Sequence, residues 1–195
     1  MSYVPSEASR RDDDGNEIPW IPMECVENPI SPELAMAIAG VVVEWSAFES
    51  MIVTDTSNLM LYSIVRKLAD SRPRSFKQKI ELWKRAVHAL YPTVRCYLEA
   101  ADEICSKGKA ISHYRHLLIH GHWLPPQGDG SQYEVLMVEG LDTVEKLSHV
   151  TATVSHVINV RNDIKTVSDA LFGFMCNRMW HAGLGLLTGV PVPKP

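Results

Sequence analysis

The chain has 195 residues, 46% of them hydrophobic, with a formal net charge of −4. That is enough apolar residue for one proper core, and the simplest count is a single domain. The negative balance excludes a protein that coats nucleic acid by bulk charge, and no run approaches the length expected of a membrane span.

The opening MSYVPSEASRRDDDGNE is charged and lacks the apolar stretch of a signal peptide, so residues 1–30 read as a disordered or extended lead-in to a cytoplasmic protein. Ser31-Pro32-Glu33 is a helix start, with a serine N-cap, proline at the first helical position and an acid in the first turn. Leu34, Ile38, Val41, Trp45, Phe48 and Ile52 follow at steps of three and four, the stripe of a long amphipathic helix. Glu49 falls close to the centre of that stripe and calls for a cationic partner.

Helical spacing continues through Asn58 to Leu68 and stops before Ser71-Arg72-Pro73. Ser75 and Gln78 form a capping box, and Phe76, Ile80, Trp83 and Val87 mark the inward face of the helix it opens. Arg66 to Arg85 holds eight basic and two acidic residues, a local +6 that leaves −10 for the rest of the chain. Such a patch could attract phosphate even on an acidic protein, although on the patch alone solvation of a loop and a helix exterior is the better account.

After Tyr91-Pro92 another helix places Tyr97, Ala101 and Ile104 on one side, with a kink expected at Lys107-Gly108-Lys109. It leads into AISHYRHLLIHGHW, residues 110–123, which holds half of the eight histidines. Ile111, Arg115, Leu118 and Ile119 share one face, and His113, His116 and His120 another. Arg115 is therefore a permanent cation on an apolar stripe, and needs an anion, a wet cleft or another subunit. Pairing of Glu49 with Arg115 across two helices is the economical expectation. Gly121 reads as a left-handed helix stop, which puts His120 in the last turn, where the helix dipole favours imidazolium.

Beyond the Pro125-Pro126 and Gly128/Gly130 loop, Tyr133–Val138 and 146–154 read as strands, giving a β appendage over about 123–154. Val160, Ile164, Val167, Leu171, Phe174 and Met175 restore the helical pattern, and the tail from 183 to 195 reads as irregular. The expected fold is a mainly α antiparallel bundle spanning 31–182, with a small antiparallel hairpin or sheet before its last helix. Cys25, Cys96, Cys105 and Cys176 are widely spaced and read as buried thiols in a reducing compartment.

Arg115-His116-Leu117-Leu118-Ile119-His120, together with WSAFES in the first helix and FKQKIELW in the next, resembles bacterial members of the HEPN superfamily. The characteristic motif of that group is an arginine, four to six residues, and a histidine. The resemblance implies a helical bundle that dimerises with two motif copies facing each other. In active members this cleft cuts RNA without a metal or cofactor, in toxins or defence components with an antitoxin or protein partner. Arg115 and His120 take the motif positions, and His116 stands where many nuclease members carry asparagine. Glu49 would orient Arg115, His116 would carry protons or touch RNA, and Lys77 and Lys79 would draw the RNA backbone. Histidine suits acid–base transfer and arginine the developing phosphorane charge. Two other readings fit the same residues. One is a non-catalytic HEPN-like module for interaction or nucleotide binding. The other is a metal site using His113, His116 and His120, for which solvent-facing histidines are the commoner explanation.

Overall fold

The computed structural model describes residues 30–68, 73–126, 128, 130–138 and 147–188. The lead-in over 1–29, and Cys25 with it, lies outside them, as do residues 189–195. Among the described residues the chain forms α1 (Pro32–Leu59), α2 (Ser63–Arg66), α3 (Phe76–Leu90), α4 (Arg95–His120), β1 (His122–Trp123), β2 (Tyr133–Val138), β3 (Leu147–Ala152) and α5 (Val154–Thr188). The mainly α bundle with a small antiparallel sheet before the last helix is the architecture.

The helix starts are set by short-range chemistry. Ser31 Oγ accepts from the Leu34 N–H at 3.2 Å with Pro32 behind it. At α3 both halves of the Ser75/Gln78 capping box are made. Each bond satisfies an amide that the first turn leaves without a partner.

Side-chain pairings give the helix directions. Gly40 lies against Arg161 and Asp55 against Arg178, so α1 and α5 run parallel. Trp45 meets Phe76 and Asp55 meets Trp83, so α3 also runs with α1. Only α4 runs the other way: Lys84 pairs with Asp102 and Glu81 with Lys109, farther along α4. The core between them includes Leu34, Val41, Phe48, Ile52, Ile80, Trp83, Ala101, Ile164 and Leu171.

α4 runs unbroken through Lys107-Gly108-Lys109. Gly108 instead permits close contact, because a Cβ there would stand 2.7 Å from Ile80 Cδ1 and 3.2 Å from the Phe48 ring. Gly121 is not left-handed either, with φ −70° and ψ 153°. A side chain at Gly121 would run into the Leu117 carbonyl and Val135, so the position is dictated by the sheet folding back on α4. In that sheet β2 is central, with His122 opposite Leu136 and Val135 opposite Val150. Tyr133, Val135 and Met137 alternate inward, as a half-buried strand requires. α5 continues helically to Thr188, past the expected end.

α1 overturns the expectation about span length. Its 28 residues include an 18-residue window of mean hydropathy 1.5, long and apolar enough to cross a membrane by length and composition alone. One face of this helix supplies Leu34, Val41, Trp45, Phe48 and Ile52 to the core of the bundle.

Candidate functional site

Trp45 organises the corner where α1, the start of α3 and the end of α4 meet. It is buried, with its ring centroid 4.4 Å from that of Phe76 and 5.8 Å from that of Phe48. Its indole Nε1 donates to Glu49 Oε2 at 3.2 Å. The Arg115 guanidinium lies over its ring, Cζ 5.6 Å from the centroid. Glu49 is thus held on one side of Trp45 and Arg115 on the other aspect of the same side chain.

Glu49 and Arg115 do not pair within the protomer, contrary to the expected contact. Lys79, one turn into α3, donates to Glu49 Oε1 at 2.7 Å and takes the carboxylate instead. The reason lies in the chain path: α3 begins beside Trp45, so Lys79 reaches Glu49 from the adjoining helix while Arg115 stays above the α3 start. Arg115 is half-buried, its Nε has no hydrogen-bond partner, and no carboxylate among the described residues pairs with it. A guanidinium cannot escape that position by losing its proton. It is a cation held on an aromatic face, which offsets only part of its lost hydration.

His120 is exposed in the last turn of α4, and its ring stacks 4.8 Å from that of His116, also exposed. Five residues of α-helix separate Arg115 from His120 by about 140° around the axis. One protomer therefore does not aim both side chains at the same point. His113 contacts Tyr114 at 6.0 Å between centroids. Among the described residues no group of three or more His, Cys, Asp or Glu side chains is placed to hold a metal ion.

Part of the basic stretch is engaged. Arg66 Nε donates to the Met60 carbonyl and Arg85 to that of Leu68, while Lys84 pairs with Asp102 at 3.3 Å. Lys77 is exposed, whereas Lys79 is half-buried and already committed to Glu49. Of the cysteines, Cys105 is buried and burial pushes its thiol up, but Cys96 and Cys176 are exposed, against the expectation that all were core thiols.

The charged contact that the sequence reading missed lies at the other end of the bundle. Asp55 on α1 is wholly buried, and its Oδ2 accepts from Trp83 Nε1 at 2.8 Å and from Arg178 Nη1 at 3.1 Å, while Arg178 Nη2 closes a second bond to Oδ1. The fork satisfies both carboxylate oxygens. A signal existed: Asp55 follows Ile52, and Arg178 follows Met175, at the same three-residue step as the apolar stripes.

A concavity of about 420 Å³ opens between α4, the sheet and α5, with Tyr114, Leu118, Val135 and Val160 as walls and His156 and Asp163 on its lining.

Fold and site together define a helical bundle carrying a lone cation on a tryptophan beside a histidine-bearing helix end. No family model matches the chain, and neither the curated proteins nor the solved structures contain a match to it.

Proposed function

We propose that the chain is a HEPN-like, metal-independent ribonuclease, a toxin or defence component that acts in the cytoplasm as a homodimer. The observation that carries this reading is Arg115: a half-buried guanidinium with an unpartnered Nε and no carboxylate counter-ion among the described residues is a cation kept for an anion from outside. A phosphodiester is such an anion, and guanidinium can hold two of its oxygens. His120 is exposed in the last turn of α4 beside His116, where its imidazole can reach a bound RNA.

The separation of Arg115 and His120 around α4 supports a composite site, in which the second subunit brings its own motif to the same phosphate. Lys77 is available to the RNA backbone, and His116 to relay a proton. Glu49 acts on Arg115 only through Trp45, holding the indole in place. Cleavage requires no metal in this reading, because arginine and histidine supply charge stabilisation and proton transfer.

The test is cleavage of a fluorescent RNA by tag-free protein in the presence of a chelator. Activity is expected to survive chelation and to fall about 100-fold or more in His120→Ala. His120 is exposed, so the variant should melt at the wild-type temperature. An inactive wild type, or a His120→Ala protein that merely melts earlier, would remove the enzyme reading in favour of a non-catalytic binding module. The groove between α4, the sheet and α5 is the feature that favours that second reading.

A further inference from the structure

The groove between α4, the sheet and α5 has a hydrocarbon floor and one polar wall. Its volume of about 420 Å³ lies within the range of small-molecule pockets. Leu117, Leu118, Val135 and Ala152 line the floor, and all four are buried. The polar wall is α5. His156, Asn159, Val160 and Asp163 stand three, four and seven residues along from the first of them, so a single face of the first turns of α5 borders the groove. On the α4 wall Tyr114 offers a ring that is 53% exposed.

Asp163 decides what such a groove takes. The cations nearest to it along α5 are committed elsewhere: Arg161 reaches Glu44 on α1 at 3.3 Å, and Lys165 pairs with Asp169 at 3.1 Å. Asp163 itself has no hydrogen-bond or ion-pair partner among the described residues. The lining holds this carboxylate and neither lysine nor arginine.

We infer that the groove binds a small organic cation, an amine or guanidinium carried on an apolar body. The body lies on Leu118, Val135 and Ala152, where its burial removes hydrocarbon from water. The charged end meets Asp163, whose oxygens accept its N–H groups, and the Tyr114 ring adds a cation–π or stacking contact. The other occupants of a groove this size fit less well. A nucleotide or an RNA phosphate would meet a carboxylate with no cation beside it, which opposes binding. A wholly apolar ligand would cover Asp163 without pairing it, at the cost of its hydration.

The groove and the Arg115 corner are separate surfaces. Neighbouring positions on an α-helix are turned by about 100°, and Tyr114 lines the groove while Arg115 lies over Trp45. The inference therefore needs no RNA cleavage. It stands beside the enzyme reading, and it supplies a ligand class to the binding module should cleavage fail.

NMR titration of the isotope-labelled full chain tests this with three probes that share a ring and differ in the end group: phenethylamine, phenethyl alcohol and phenylacetate. Amide signals of Val135, Ala152 and Val160 should move with the amine, which is expected to bind about 10-fold or more tightly than the alcohol, with phenylacetate weakest. Asp163→Asn keeps the shape and removes the charge. It should lower the affinity for the amine to that for the alcohol, and leave the alcohol unchanged. Asn159→Trp should block all three probes by filling the groove. Positions 159 and 163 are exposed, so both variants should melt at the wild-type temperature. The inference is overturned by an amine that moves no groove signal up to its solubility limit, by an alcohol or carboxylate that binds as tightly as the amine, or by an Asp163→Asn protein that binds the amine as wild type does. RNA cleavage is assayed separately: an active ribonuclease that ignores the amine removes this inference alone, and an inactive chain that binds the amine removes the enzyme reading alone.

Discussion

Removing the Asp55 carboxylate would leave Arg178 with its charge in a place that water does not reach, since Arg178 is 8% and Asp55 0% exposed. Breaking one side of such a pair costs about 3–5 kcal/mol, whereas replacing both partners with apolar side chains of similar volume is often neutral. Asp55→Ala should therefore lose stability in that range by urea unfolding, and Asp55→Leu combined with Arg178→Met should recover most of it. A single variant within about 1 kcal/mol of wild type would mean that Arg178 finds another anion or solvent. Trp83 adds to the cost, because its Nε1–H also loses its acceptor. Arg115 presents the opposite case, a cation with no carboxylate partner among the described residues. Its replacement by methionine is expected to be tolerated thermally even where it abolishes function.

Packing between helices α3 and α4 depends on one missing side chain. Gly108 sits where Ile80 and the Phe48 ring come within van der Waals distance of the backbone, so Gly108→Ala sets two effects in opposition. Alanine is the better helix former by about 1 kcal/mol, but overpacking a tight core costs about 1–3 kcal/mol. The clash involves the Cδ1 tip of Ile80 and the Phe48 ring, both 0% exposed and packed in the core, so overpacking should win. A net loss of melting temperature is expected, and Gly108→Ala combined with Ile80→Val should restore part of it; a more stable single variant would refute the close approach. The same glycine shows where sequence reading stops. In the sequence Lys107-Gly108-Lys109 has the composition of a kink, because a glycine that weakens a helix and one that admits a neighbour are written identically. The helices themselves were readable because caps and stripes act within four residues: Ser31, Ser75 and Gln78 stand where those rules place them. The pairing of Glu49 was not, since it depends on where α3 begins relative to Trp45, which no local spacing states. Asp55 with Arg178 was within reach of the stripe argument, but a stripe marks a buried charge without naming its partner 123 residues away.

The two ends of the bundle are built differently, and the protein as a whole should show it in its response to alkali. At the Asp55 end, Tyr91 and Tyr97 pack edge to face at 5.1 Å, and Tyr97 packs on Phe174 at 5.4 Å. Burial raises both phenols above their usual 10.0, although the Arg178 charge pulls each back in part. The unfolded chain releases these protons near 10.0, while the folded protein keeps them to higher pH. Between those two values the folded state binds more protons than the unfolded state, so stability falls as pH rises. The contribution is therefore complete below about pH 10 and is lost progressively above it. The buried Cys105 thiol, also raised by burial, acts with the same sign from its usual 9.0 upward. Urea midpoints taken from about pH 8 to about pH 11 should thus decline most steeply above pH 10, and Tyr91→Phe should flatten that decline by removing one of the protons. An unchanged slope in Tyr91→Phe would place the alkaline loss on other groups. At the opposite end of the bundle the group against Arg115 is the Trp45 ring, with Phe48 and Phe76 packed on that ring. Alkali should therefore act on the end held by Asp55, Arg178 and the two phenols, while the other end carries Arg115, a cation with no carboxylate partner among the described residues.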